Sequence, residues 1–191
     1  MFMRYVRPGL MLTIAMTLLT GAVYPALITA VSGFAFPSQA HGSLMNRNGA
    51  LIGSTLIGQN FSSPQYFWGR PSATSPQPYN GVGSGGSNLG PLNPALVDKV
   101  KANAKALRDA DPLNTSAIPV ELVTGSASGL DPDISPAAAD YQAARVARAR
   151  HVPLARIQSL IAEHRREPIA GVIGEARINV LELNLALDRL H

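Results

Sequence analysis

Residues 80–91, NGVGSGGSNLGP, hold five glycines and two serines and no charge, a composition that can wrap phosphate. A phosphate-binding P-loop ends in Gly-Lys-Ser/Thr, so that lysine reaches the phosphates and the hydroxyl holds magnesium. Here no lysine occurs before Lys99. The dinucleotide fingerprint needs a strand before its glycines and a helix directly after them. PQPYN precedes this loop instead, and Pro91 follows its last glycine. Two readings stand for Ser84, Gly85, Gly86, Ser87 and Asn88. In one, the glycines permit positive φ and close backbone approach; in the other, the loop binds a nucleotide or a partner.

Other candidate chemistry is thinner. TGSASG, 124–129, has the outline of a hydrolase elbow, but Ala127 stands where Gly-x-Ser-x-Gly needs its nucleophile. Ser126 and Ser128 are therefore expected to make turn hydrogen bonds. Asp131 and Asp133 flank Pro132, which suits an Asp-Pro turn before a helix cap, with acid–base or calcium work as the alternative. His41, His151, His164 and His191 show no metal-ligand spacing, and with no cysteine there is no thiolate site or disulfide.

Where these residues lie depends on the N-terminal third. GLMLTIAMTLLTGAVYPALITAV, residues 9–31, is apolar or weakly polar throughout. As a helix it reaches roughly 34 Å, enough for a hydrocarbon core of about 30 Å. A signal peptide cleaved after Ala40 is the alternative, but its apolar region runs about 7–15 residues, shorter than this one. Arg4 and Arg7 precede the span and are expected to stay cytoplasmic. The expectation is a cytoplasmic N-terminus at 1–8, a transmembrane helix at 9–31, a linker at 32–49 and an extracytoplasmic domain at 50–191. Thr13, Thr17 and Gly21 recur every fourth residue, with Pro25 on the same face. Small residues spaced in this way let a second helix approach closely in lipid.

The charge divides unevenly. Residues 1–97 carry four arginines and no acid, while 98–191 balance twelve Lys/Arg against twelve Asp/Glu. The net +4 is thus no nucleic-acid signature. Arg145, Arg148, Arg150, Arg156, Arg165 and Arg166, interleaved with alanines and acids, read as a solvated helix face, with a partner contact as the second reading.

The elements follow from punctuation and period. ALIGSTLIGQNF (50–61) reads as strand-like, and the prolines of SPQYFWGRPSATSPQPY (63–79) exclude a regular helix or central strand. Asn93-Pro94 opens a helix with an apolar stripe at Leu96, Val97, Val100, Ala104 and Leu107, and Asp111-Pro112 ends it. IPVELVTGSASGL (118–130) predicts a short strand and a turn. Ser135-Pro136 caps a second helix running to about Arg150, and Pro153 starts a third with Leu154, Ile157, Leu160 and Ile161 inward. ARINVLELNLALDRL (176–190) predicts a strand passing into a C-terminal helix. The fold class is a single N-terminal transmembrane helix followed by a small α+β extracytoplasmic domain.

GSTLIGQNFSSPQYFWGRPSAT, NGVGSGGSNLGPLNPALVDKV, IPVELVTGSASGLDPDISPAAADYQAARVARAR and GEARINVLELNLALD, in this order, resemble the C subunit of the bacterial Kdp-type potassium-transporting ATPase. The resemblance implies membership of an inner-membrane complex with a channel-like A subunit, an ATP-hydrolysing B subunit and a small F subunit. It implies an accessory role, described as a catalytic chaperone raising the ATP affinity of the B subunit, with the glycine-serine loop contributing. SGGSN also resembles the Ser-Gly-Gly-Gln loop of ABC-type ATPases over five residues, without its Gln. No Asp-Lys-Thr-Gly phosphorylation motif or potassium-filter motif is present. A non-catalytic subunit is therefore expected, with no cofactor or metal of its own and ATP reached only through the complex; the alternative is direct nucleotide binding by 83–90.

Overall fold

The computed structural model describes residues 3–47 and 49–190; His191 lies outside them. The chain divides into two compact units at Ile52/Gly53.

The first unit is dominated by one helix, Arg4–Ala35, with mean hydropathy 1.8 and no buried residue. It comprises α1 (Met3–Leu18), a π-turn at Leu19–Val23, and α2 (Tyr24–Ala35). The π-turn falls where proline chemistry demands an adjustment. Pro25 has no N–H to offer the carbonyl one turn back, and Tyr24 N bonds Leu19 O, five residues away. Pro25 thus appears as a local i→i−5 turn within one helix. Thr13 Oγ1 donates to Gly9 O at 2.9 Å and Thr20 Oγ1 to Met16 O at 2.7 Å, satisfying both hydroxyls within the helix. The segment expected as a linker contains α3 (Pro37–Ala40) and β1 (Leu44–Arg47), which pairs with β2 (Ala50–Ser54).

The second unit holds four helices and a small antiparallel sheet. Its helices are α4 (Pro94–Ala110), α5 (Pro136–Arg150), α6 (Leu154–Glu163) and α7 (Val180–Leu187). The sheet, in order β3-β5-β4, is formed by β3 (Asp133–Ile134), β4 (Arg165–Arg166) and β5 (Arg177–Asn179), with α5 and α7 against it. Ile134 pairs with Ile178, and Arg165 takes the other side of Ile178. The expected caps are in place. Asn93 Oδ1 accepts from Ala95 N at 3.0 Å, and Ser135 Oγ accepts from Ala138 N at 3.2 Å. The C-terminal strand does pass into a helix, with Asn179 Oδ1 capping α7 through Glu182 N at 3.0 Å. Ile134, Val146, Ile157, Ile178, Leu183 and Leu187 form the centre of the core.

Three expectations need correction. Residues 120–122 form a 3₁₀ turn, not a strand. Glu121 turns to the start of α5, accepting from Ser135 N at 2.8 Å and Ser135 Oγ at 2.5 Å. Leu154 begins α6 on its outward side, 42% exposed, while Ile157, Leu160 and Ile161 face the core as expected. On α4 the apolar stripe fills only towards its end: Leu107 is buried, whereas Val97 is 44% exposed.

The arginine run is corrected at two positions: Arg148, Arg156, Arg165 and Arg166 are exposed as expected, but Arg145 and Arg150 are not. Arg145 is 4% exposed, and the Arg150 side chain 15%. Four alanines, Ala138, Ala139, Ala143 and Ala147, stand among the buried residues of α5 beside Tyr141 and Val146, and their small side chains let another segment come close enough for the arginines to hold it.

Candidate functional site

Between Ser54 and Pro94 there is no helix or strand, yet Phe67 is completely buried. Buried backbone must find partners, and here they are side chains 74 to 117 residues away in sequence. Asn184 on α7 accepts from Phe67 N at 2.8 Å and donates to Phe67 O at 2.9 Å. Gln142 on α5 does the same for Trp68, at 2.8 and 3.1 Å. Both amides are 1% exposed, and each serves as a one-residue substitute for a neighbouring strand.

The arginines complete the clamp. Arg145 donates to Pro64 O at 2.5 Å and to Gln142 Oε1 at 2.7 Å, with its guanidinium 4.6 Å from the Trp68 ring centre. Arg150 donates to Gln65 O at 2.7 Å and Asp188 Oδ1 at 2.9 Å, and lies over Tyr66. Burial lowers the Arg145 pKa to about 10, against the opposing charge of Asp111. Arg148 pairs with the buried carboxylate of Asp111, joining α5 to the end of α4.

Past the clamp, Arg70 bridges to Asp131 at 3.2 Å and to Gly125 O at 3.3 Å. Tyr79 OH donates to Arg70 O at 2.5 Å. Burial, then the Asp131 charge, raises the Tyr79 pKa to about 12. The expected turn roles are present: Asp131 Oδ1 accepts from Asp133 N at 3.1 Å, Ser126 Oγ from Gly129 N at 2.9 Å, and Ser128 Oγ from Leu130 N at 3.1 Å. Asp133 bridges to Arg177 at 3.2 Å, and its pKa is raised, first by burial and then by Asp131. Among the described residues no cluster of His, Asp or Glu is arranged to hold a metal.

The glycine loop lies against the 126–129 turn. Gly85 N donates to Ser128 O at 2.8 Å and Ser84 Oγ to the same oxygen at 3.1 Å. A Cβ on Gly86 would stand 2.9 Å from Ala127 O, and one on Gly129, at φ 66°, 2.7 Å from Gly85 O. Close approach is therefore what these glycines supply; within the loop it is Asn88, at φ 51°, that takes the left-handed conformation. Ser87 points elsewhere, lining with Leu96 and Lys99 a cleft of about 240 Å³. That cleft adjoins a larger one of about 370 Å³, walled by Phe61, Trp68, Tyr79 and Leu107. Thr13, Thr17, Gly21 and Pro25 lie in the other unit, on the exposed surface of the apolar helix.

The clamp was missed in sequence because its donors and acceptors sit far apart along the chain. One signal was available: Gln142 and Arg145 stand three apart within the alanine-rich α5.

One helix long and apolar enough to cross a bilayer is thus followed by a small α+β domain whose buried amides and guanidinium groups are spent on internal clamps. Residues 6–189 match the family described as "KdpC: K+-transporting ATPase, c chain". Relatives named "Potassium-transporting ATPase KdpC subunit" include one from Ralstonia nicotianae, 61% identical over 96% of this chain and 90% of its own. Another, from Polaromonas naphthalenivorans, is 61% identical over 96% and 94%. One from Herminiimonas arsenicoxydans is 59% identical over 97% of each chain. The chain belongs to the KdpC family of potassium-transporting ATPase subunits.

Proposed function

We propose that the chain is a non-catalytic accessory subunit of an ATP-driven potassium uptake complex of the bacterial inner membrane. Its N-terminus is cytoplasmic, residues 9–31 span the bilayer, and the domain from 50 onward is extracytoplasmic. It stabilises assembly and supports the ATP-hydrolysing B subunit by contact with that subunit, with the channel-like A subunit and with the small F subunit. One observation carries this reading: no described residue of the apolar helix is buried, which leaves the Thr13, Thr17, Gly21 and Pro25 face for a partner helix. Replacing Thr17 and Gly21 together with Leu tests it. Reduced recovery of partner subunits on purification is expected, and unchanged recovery removes the helix face from the reading. Orientation is read separately with Val82→Cys, which is 99% exposed in a chain without cysteine. Labelling by a membrane-impermeant maleimide in intact spheroplasts is expected, and labelling only after lysis would overturn the topology.

Direct nucleotide binding by 83–90 is the second reading, favoured by Ser87 and Lys99 sharing one cleft. Against it, Gly85 N and Ser84 Oγ are both committed to Ser128 O, which leaves few donors for a phosphate. Equilibrium binding of labelled ATP, with Ser87→Ala as the comparison, decides it; no binding at millimolar nucleotide ends this version.

A further inference from the structure

The two adjoining clefts share Pro71, Ser72 and Asn103, and together make one groove between α4 and the 60–79 segment. No aspartate or glutamate lines either cleft. Lys99 stands at one end and, among the described residues, takes part in no ion pair. Arg70 lies in the other cleft; its outer nitrogens reach Asp131 and Gly125, and its buried Nε has no partner. The floor is aromatic and apolar, with Phe61, Trp68, Leu107 and Leu122. The unfilled start of α4's stripe continues it, as Leu96 lines the second cleft. On the shared wall Asn103 spends its amide N–H on Val123 O at 3.1 Å, and its oxygen accepts no hydrogen bond from the described residues.

We infer that this groove seats an extended segment of a partner subunit of the complex, with an apolar side chain in the aromatic cleft and a carboxylate beside Lys99. The inference rests on the accessory reading above and deepens it by naming the surface and the chemistry of the contact. Charge complementarity selects the occupant, because an acid-free trough with a free cation disfavours a basic segment and rewards an acidic one. Length follows from the layout. Two adjoining hollows, with Asn103 lining both as a hydrogen-bonding post for a backbone, suit an extended chain better than a compact solute.

The test uses the assembled complex. Ala106 is exposed and lines the aromatic cleft, so Ala106→p-benzoylphenylalanine places a photo-crosslinker in the groove from its α4 side, while the clamping Gln142 and Asn184 do not line it. Ser87 lines the second cleft and serves as the alternate position if the first variant fails to assemble. Gln158, exposed on α6, is the off-groove control. The expected result is an adduct from Ala106 or Ser87, absent from Gln158, to one partner-subunit peptide containing Asp or Glu. Lys99→Glu should weaken that adduct several-fold, and reversing the partner's acid to Lys should restore it. An adduct to lipid, to a peptide without an acid, or to nothing overturns the inference, as does loss of the adduct to millimolar ATP in place of a peptide. Should the unsubstituted chain fail to co-purify with the other subunits, the accessory reading itself fails; an intact complex without the adduct removes the groove alone.

Discussion

The amide clamp gives a quantitative prediction. Asn184→Leu keeps the side chain's branching and number of heavy atoms but strips Phe67 of both backbone partners, which now stand at 2.8 and 2.9 Å. Leaving one buried backbone group unpaired costs about 1–3 kcal/mol. Phe67 is fully buried and loses two, so a destabilisation of about 2–6 kcal/mol is expected. Leu is the better helix former by a few tenths of a kcal/mol, which offsets little. Small domains have roughly 5–15 kcal/mol in total, so the variant is expected to fold with a much lower urea midpoint. Trp68, the only tryptophan, sits in the clamp and reports its release. The assay is urea unfolding of the full chain followed by tryptophan emission, taken with Gln142→Leu and the double variant. Once one amide has gone the loop lifts, and the second amide has less left to lose. The double variant should therefore cost less than the sum of the singles by about 0.5–3 kcal/mol. A shift for Asn184→Leu below about 0.5 kcal/mol, the range of ordinary surface changes, would mean that the loop is not held by these amides.

Gly129→Ala places a methyl 2.7 Å from Gly85 O at a left-handed φ, whereas Gly85→Ala meets nothing within 4 Å; the first should cost about 1–3 kcal/mol and the second well under 1, read by the same unfolding curves. Arg145→Lys keeps the charge but cannot reach Pro64 O and Gln142 Oε1 while lying flat on Trp68, so a loss of about 2 kcal/mol and a change in Trp68 emission are expected. The Tyr79 hydroxyl, raised to about 12, should be the component missing from phenolate absorbance near pH 10 and present near pH 12, identified by difference against Tyr79→Phe. Because its folded-state value is raised, the stability tied to Tyr79 is complete below about pH 10 and lost as pH rises through 12, about 3 kcal/mol in all. Arg145, lowered to about 10, acts in the opposite direction over that window, so the tyrosine's own titration is the cleaner reading.

What was legible in the sequence was local. Asn93-Pro94 and Ser135-Pro136 fix two helix starts through amide or hydroxyl caps two or three residues away, and the apolar helix is plain from composition. The errors have a common cause. Val120–Leu122 has strand composition, but whether such a run becomes a strand depends on a free sheet edge elsewhere in the fold. Arg145 and Arg150 look solvated along their own helix, and only the arrival of Pro64–Trp68 from far upstream buries them. The glycine loop was open to two readings because glycine supports phosphate wrapping and backbone packing alike; Gly86 against Ala127 O supplies the second.

The clamp also bears on how a domain with so little regular structure can serve as a docking surface. A long loop is ordinarily mobile, and ordering it on contact would subtract from affinity. Here the carbonyls of Pro64, Gln65, Phe67 and Trp68 are all held by side chains of α5 and α7. The entropy of ordering is met when the domain folds and does not fall on the binding step. Nor does this segment present a strand edge that a second copy could extend, since its buried polar groups are answered by amides and guanidinium groups instead of backbone. A partner therefore meets a preformed groove, rigid on its loop side and supported by α4 on the other. Loosening the clamp should weaken capture in the groove even though Asn184 and Gln142 do not line it, and Asn184→Leu combined with the Ala106 crosslinker distinguishes a preorganised surface from one that forms only on contact.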